Sequence, residues 1–226
     1  MDGAAPSPFV DVLYHDNHLL ALGKPPGLLT QPSGTRSDSL EDRARSYIKE
    51  VKGKPGNVFL HAVHRLDRVA SGIALFATTG KSLSRMNALM RAGTITRVYH
   101  AAVSGSLPAP VGELVHFLRH ARLKSVEAAE GEPGARRASL SYRLIGRAGP
   151  LSLVEVTLGS GRYHQVRAQL SLAGCPVAGD ALYGSPVSYV RGGVALHHRR
   201  MEFSHPVTSA PVVIQAGYPP FWPIPG

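Results

Sequence analysis

The chain has 226 residues, 43% hydrophobic and 18% charged, which suits one large globular domain or two small lobes sharing a cleft. Its 25 Lys and Arg against 15 Asp and Glu give a formal net charge of +10, a bias that attracts RNA, DNA or anionic membranes. No apolar run approaches the ~20 residues needed to span a bilayer, and the single cysteine, Cys175, excludes an internal disulfide and a CxxC metal site.

The opening MDGAAPSPF lacks the basic and apolar regions of a signal peptide, so the expected setting is reducing and cytoplasmic. Residues 9–22 read as two short apolar strands hinged at His15-Asp16-Asn17. KPPGLLTQPSGTRSDS follows as an ordered loop. Ser39 is the predicted N-cap of a helix with Leu40, Ala44, Tyr47, Ile48 and Val51 on its apolar face, stopped by Gly53 and Pro55. Strands are expected at 57–63 and 73–77, flanking the loop HRLD (64–67). A second amphipathic helix is expected over 81–91, then a strand from Ile95 to Val103.

Residues 106–138 read as irregular and basic, a protruding hairpin or loop carrying His116, Arg119, His120, Arg122, Lys124, Arg136 and Arg137. Alternation returns in SLSYRLI and LSLVEVTL, two strands expected to pair. HQVRAQLSLAG reads as a helix with Gly174 at its C′ position, and VALHHRRMEF and PVVIQA as the last strands. The sum is α+β, with a mixed, mostly antiparallel sheet and few helices.

Four segments set polar residues beside apolar strands: HRLD, RVYHAAVSG (97–105), GSGRYHQVRAQLSLAGCPVAGDALYG (159–184) and LHHRRMEFSHP (196–206). In that order, and with GKPPGLL ahead of them, they resemble the RluA-type family of RNA pseudouridine synthases. The nucleophile loop is matched by His64 to Asp67 with Ser71 and Gly72, and the second motif by Arg97, Tyr99, Ala101, Val103 and Gly105. The third is matched by Gly161, Arg162, His164 to Arg167 and Gly174 to Gly184, the last by Leu196, His197, Phe203, His205 and Pro206. Ala70, Tyr163 and Gln169 depart from the usual Thr, Thr and His.

The resemblance implies a pseudouridine synthase fold, a sheet in two lobes around a central basic cleft, with residues 1–226 as one catalytic domain and no S4-type RNA-binding domain. It implies isomerisation of a uridine in structured tRNA or ribosomal RNA, with no cofactor and no metal, by a cytoplasmic monomer that engages no membrane. Asp67 is then the catalytic carboxylate, Arg167 the cation that keeps it ionised, and Tyr99 the ring that stacks on uracil. Arg65 would hold the flipped-out state, and His64, Arg162, His164, Gln165 and Leu196 would bind substrate.

Plainer readings exist for each residue. Asp67 could be an ion pair between Arg65 and Arg68 on a surface turn, Tyr99 a packed strand aromatic, and Arg167 a solvent-facing helix residue. Asp180, the rival carboxylate, is expected to fix its loop by accepting backbone N–H groups. His61/His64 and His197/His198 lack further ligands at metal spacing. The competing functions are a non-catalytic RNA-binding or RNA-folding protein on the same scaffold and a DNA-binding protein. No helix-turn-helix or zinc-finger pattern supports the latter.

Overall fold

The computed structural model of the protein describes residues 10–34, 38–53 and 56–223. The N-terminal nine residues examined for a signal peptide, residues 35–37 of the Pro/Gly/Ser loop, and Pro55 lie outside the described residues. In chain order the elements are β1 (Asp11–His15), β2 (Leu19–Lys24), α1 (Leu40–Lys52), β3 (His61–Ala62), β4 (Ser71–Ala77), α2 (Gly80–Ala92) and β5 (Thr96–Ser104). Then follow β6 (Val111–Ala121), β7 (Lys124–Glu127), β8 (Arg136–Ala148), β9 (Leu151–Leu158), α3 (Gln165–Leu172), a 3-10 turn (Ala181–Tyr183), β10 (Leu196–Ser204) and β11 (Pro211–Gln215). All the strand pairings detailed below are antiparallel. The fold class is α+β, as the sequence pattern predicts. Two compact units divide the chain, one of Met1–Ile95 with Arg199–Gly217, the other of Thr96–His198 with Tyr218–Gly226.

In the first unit the turn between β1 and β2 is closed by Asp16, whose carboxylate accepts the N–H groups of His18 and Leu19, both at 2.7 Å. β2 pairs with β4, whose seven residues are all buried. Successive side chains of a strand point to opposite faces, and both faces of β4 are covered. Ile73, Leu75 and Ala77 join Met86 of α2 with Met201, Phe203, Val212 and Ile214. Ala74 and Phe76 join Leu40, Ala44 and Ile48 of α1. This double burial explains why the segment reads IALFA, apolar without alternation.

The first helix carries the expected caps, and the second is bounded in the same way. The Ser39 hydroxyl accepts the Asp42 N–H and Gly53 closes α1 in the left-handed conformation; Thr79 and Gly93 do the same for α2. The strand expected over 57–63 shrinks to the two residues of β3. Arg45 of α1 takes the carbonyls of Val58 and Leu60 at 2.7 and 2.6 Å, so a side chain satisfies backbone that a ladder would otherwise serve.

The second unit is a meander in the order β5-β9-β8-β6-β7. Its main departure from expectation is the supposedly irregular stretch 106–138. This contains β6, eleven residues long and paired along eight positions with β8, and β8 itself starts at Arg136. The alternation was masked because the β6 face that meets α3 carries Gly112, His116 and His120 among Leu114 and Leu118, so apolar residues do not mark it. The β6–β7 turn, by contrast, is the expected basic hairpin. Leu118, Ala138, Ala168 and Tyr183 form the small core under α3, and Gly174 has the predicted left-handed conformation past its end.

Candidate active site

In the first unit Asp67 stands in the loop between β3 and β4, partly buried, and its neighbours are fixed by the segment after β2. The Thr30 hydroxyl both accepts the Leu66 N–H and donates to the Leu66 carbonyl, each at 3.1 Å. On the other side the Arg68 carbonyl accepts the Gly27 N–H at 2.7 Å and Lys24 Nζ at 3.1 Å. The Ala70 N–H closes the turn onto the Asp67 carbonyl, and β4 begins one residue later. Asp67 is therefore held between two pinned residues at the head of a strand buried on both faces. Arg65 and Arg68 are exposed, and His64 Nε2 accepts the Leu75 N–H at 3.3 Å.

Lys24 is the residue that sequence reasoning passed over. It is 2% exposed, and its ammonium donates to the carbonyls of Pro25 (2.9 Å), Leu28 (2.8 Å) and Arg68 (3.1 Å). Burial pushes its pKa down from 10.5 to about 7, against the pull of the Asp67 charge and with the help of Arg68. The signal was GKPPGLL, whose two prolines have no N–H with which to continue the β2 ladder.

In the second unit Arg167 is not the solvent-facing helix residue that is the default. It is 4% exposed, and its Nε and Nη2 donate to the two oxygens of Asp180 at 2.6 and 2.8 Å, a bidentate pair. The reading of Asp180 as a cap for backbone N–H groups is thereby corrected: its carboxylate is spent on Arg167. The loop is turned instead by the Asp180 carbonyl, which accepts the N–H groups of Tyr183 and Ser185. Tyr183 places its ring 5.1 Å from the Arg167 guanidinium carbon, a cation–π contact.

Tyr99 of β5 is buried and stacks on His198 of β10, with ring centroids 4.4 Å apart and planes 11° apart. The stack gives His198 a role that the sequence did not point to. Leu196 is buried two residues before it.

The loop leading into α3 gathers the remaining predicted residues. Gln165 is buried, its carbonyl oxygen accepting Ser160 Oγ and the Arg162 N–H while its amide donates to the Ser139 carbonyl. Arg162 is exposed and donates to the Arg137 carbonyl. His164 lies 3.2 Å from the Tyr183 hydroxyl through Nδ1, so it and Arg167 share Tyr183 as a neighbour. Gln169, one of the departures, is fully buried; its amide donates to the Leu114 carbonyl and lies 3.0 Å from His116 Nδ1, tying α3 to β6. Ala70 is buried, and nothing in the structure explains the choice of alanine over threonine.

Comparison with known proteins gives one family. Residues 18–172 match the model of the RNA pseudouridylate synthase family. The uncharacterised RNA pseudouridine synthase YhcT of Bacillus subtilis is 30% identical over 93% of this chain and 69% of its own. The dual-specificity RNA pseudouridine synthase RluA of Haemophilus influenzae is 30% identical over 92% of this chain and 93% of its own. The ribosomal large subunit pseudouridine synthase D of Pseudomonas aeruginosa is 28% identical over 88% of this chain and 65% of its own. Among solved structures, human RNA pseudouridylate synthase domain containing 4 superposes with a TM-score of 0.77 at 21% identity, over 94% of this chain and 90% of that one.

Proposed function

The chain belongs to the RNA pseudouridylate synthase family, and from that premise we propose that it isomerises a uridine in structured tRNA or ribosomal RNA with Asp67 as the catalytic carboxylate. The observation that carries the assignment is the clamp around Asp67, with Leu66 held by Thr30 and Arg68 by Gly27 and Lys24. A carboxylate whose main chain is fixed on both sides is preorganised to meet one substrate atom.

The reaction breaks the C1′–N1 bond of uridine, the uracil leaving with the bonding pair. Asp67 either bonds to C1′, as the carboxylate of a retaining glycosidase does, or removes a proton from C2′ to leave a glycal. After the uracil turns, C5 bonds to C1′, displacing the Asp67 carboxylate on the first route or adding to the glycal while Asp67 returns the proton to C2′ on the second. C5 then loses its proton and N1 gains one; Tyr99, braced from one side by His198, is assigned the stacking face and the help in that proton transfer. Both routes need an ionised Asp67, and Arg167 is assigned to supply the charge that favours it. The guanidinium carries five N–H donors in a rigid fork. Nε and Nη2 donate to Asp180, which fixes the plane in which the whole fork lies.

Extruding the base costs a few kcal/mol, for which Arg65 is assigned a supporting role. No described helix is long and apolar enough to cross a membrane; a cytoplasmic monomer acting on RNA is the reading we adopt. The names of the relatives, one dual-specificity and one acting on the ribosomal large subunit, support an RNA of these classes.

The test is tritium release from C5-labelled uridine RNA by wild type and Asp67→Asn, with RNA binding measured for both. Wild-type release, reduced on the order of a thousandfold or more in the variant with binding retained, supports the assignment. Equal release by the two would remove Asp67 from the chemistry. Binding without any wild-type release would favour the non-catalytic RNA-binding alternative.

A further inference from the structure

Tyr163 is 45% exposed and yet held by several contacts. Its ring stacks on His164 with centroids 3.8 Å apart and planes 19° apart, and meets the ring of His120 at 4.4 Å and 60°. Its hydroxyl donates to the Leu123 carbonyl in the β6–β7 turn at 3.4 Å, and its own carbonyl accepts the Ser125 hydroxyl. The column continues inward. His164 Nδ1 lies 3.2 Å from the Tyr183 hydroxyl, which accepts the Ser125 N–H at 2.8 Å. His164 itself is held in the left-handed region, φ 49°, a conformation that non-glycine residues rarely adopt. The loop thus takes an uncommon backbone conformation where this ring lies against Tyr163.

The charges around the column select the occupant. Arg122 and Lys124 at the tip of the β6–β7 hairpin are exposed, and neither forms an ion pair among the described residues. Arg162, next to Tyr163, is exposed and engages only a neutral carbonyl, so its charge is uncompensated too. Arg119 of the same hairpin is different, since Glu132 pairs with it at 2.8 Å. A rigid aromatic face with uncompensated cations on either side of Leu123 and next to Tyr163 in the chain suits a nucleotide, whose base offers a π-face and whose phosphate offers the counter-charge.

We propose that Tyr163, seated on His164 and His120, is a stacking platform for an unpaired base of the RNA other than the isomerised uridine, with Arg122, Lys124 and Arg162 holding the adjoining phosphates. The platform rests on the RNA-modifying reading above. It assigns to Tyr163 a part in choosing RNAs that present an unpaired nucleotide beside the target. Stacking carries little sequence preference, so the selection is for strand state rather than for base identity.

The experiment measures affinity by fluorescence anisotropy for a uridine-containing stem-loop RNA and for a fully paired duplex of matched length, over a series of salt concentrations. The protein is the full chain carrying Asp67→Asn, so that binding is read without turnover. Tyr163→Phe keeps the ring and is expected to bind the stem-loop within about twofold of the parent. Tyr163→Ala and Tyr163→Leu remove it and are expected to weaken stem-loop binding roughly tenfold or more, leaving duplex binding and the salt slope unchanged. Lys124→Ala should instead lower the salt slope by about one. The leucine variant keeps apolar bulk against His164, so its result stands if the alanine variant folds poorly. Stem-loop affinity in Tyr163→Leu equal to that in Tyr163→Phe, or an equal loss for the duplex, would overturn the platform. Tritium release by the wild type on the same stem-loop tests the parent reading separately: ring-dependent binding without release refutes the isomerase and not the platform.

Discussion

Lys24→Met keeps a side chain of similar length and removes the one ammonium that ties the loop after β2 to the carbonyl of Arg68. Two large effects oppose each other there. Lowering the pKa from 10.5 to about 7 corresponds to a net cost of roughly 5 kcal/mol for the charged form, burial being its largest cause. Against it stand three hydrogen bonds from a charged donor, each worth about 1.5–3 kcal/mol. Methionine escapes the burial cost but leaves three carbonyls without that donor, at about 1–3 kcal/mol each where water does not reach. The expected net is a loss of about 2–4 kcal/mol at neutral pH. The sharper signature is in the pH dependence. Between about pH 7 and 10.5 the unfolded chain holds a proton on Lys24 that the folded chain lacks. Stability contributed by this residue therefore rises with pH across that window, by up to about 1.4 kcal/mol per unit, and is flat below it. Denaturant melts of both proteins, followed by circular dichroism from about pH 6 to 10, should show the wild type gaining on Lys24→Met as pH rises. Parallel curves across that range would mean the buried ammonium keeps its proton throughout and would refute the reasoning.

Two other perturbations test the second unit. Asp180→Ala leaves Arg167 buried without its bidentate partner, and breaking such a pair costs about 3–5 kcal/mol; a thermal melt should fall accordingly, with kcat dropping more than RNA affinity. Gly179→Ala puts a methyl group 2.5 Å from Tyr189 Cβ and 2.9 Å from the Gly193 carbonyl at a left-handed φ of 85°, so destabilisation of about 3 kcal/mol or more is expected from the same melts; a melting temperature equal to wild type would show that the 189–193 loop yields freely.

What the sequence made legible follows from which physical signals are local. Ser39 and Gly53 were readable as the bounds of α1 because capping is a contact between near neighbours. β4 was visible as an apolar run because both of its faces are covered. β6 was not, since its strand state comes from hydrogen bonds to β8 and β7 while its side chains mix His, Gly and Glu with the apolar residues. Of the candidate site, Asp67, Tyr99 and Arg167 stood out through their motifs. The residues that brace their surroundings did not: Lys24, which holds the carbonyl of Arg68, is 43 residues before Asp67, and His198 is 99 after Tyr99, counted on the sequence. Asp180 lay inside a quoted motif and was still given the wrong partner, because a Gly-Asp turn normally caps its own backbone.

That misassignment bears on how the proposed catalyst would work. A buried Arg–Asp pair is weak evidence for stability, since well-packed apolar residues often serve a fold as well. Its use is better sought in geometry. Arg167 sits on an eight-residue helix, so a lone guanidinium there would sample several rotamers. Two hydrogen bonds to Asp180 fix the Nε edge, and the Tyr183 ring limits the plane from one side. The same carboxylate that fixes the guanidinium also neutralises much of its distant field, leaving directional hydrogen bonding as the larger part of what it can offer. Arg167→Lys keeps the charge and loses the fork. If the cation acts on Asp67 mainly through charge, the lysine variant should retain most of the tritium-release activity. If it acts through fixed donor geometry, activity should fall about as far as in Arg167→Met while the lysine variant remains the more stable of the two. The structure of the Arg167–Asp180 pair favours the second outcome, and equal activity of Arg167→Lys and wild type would overturn it.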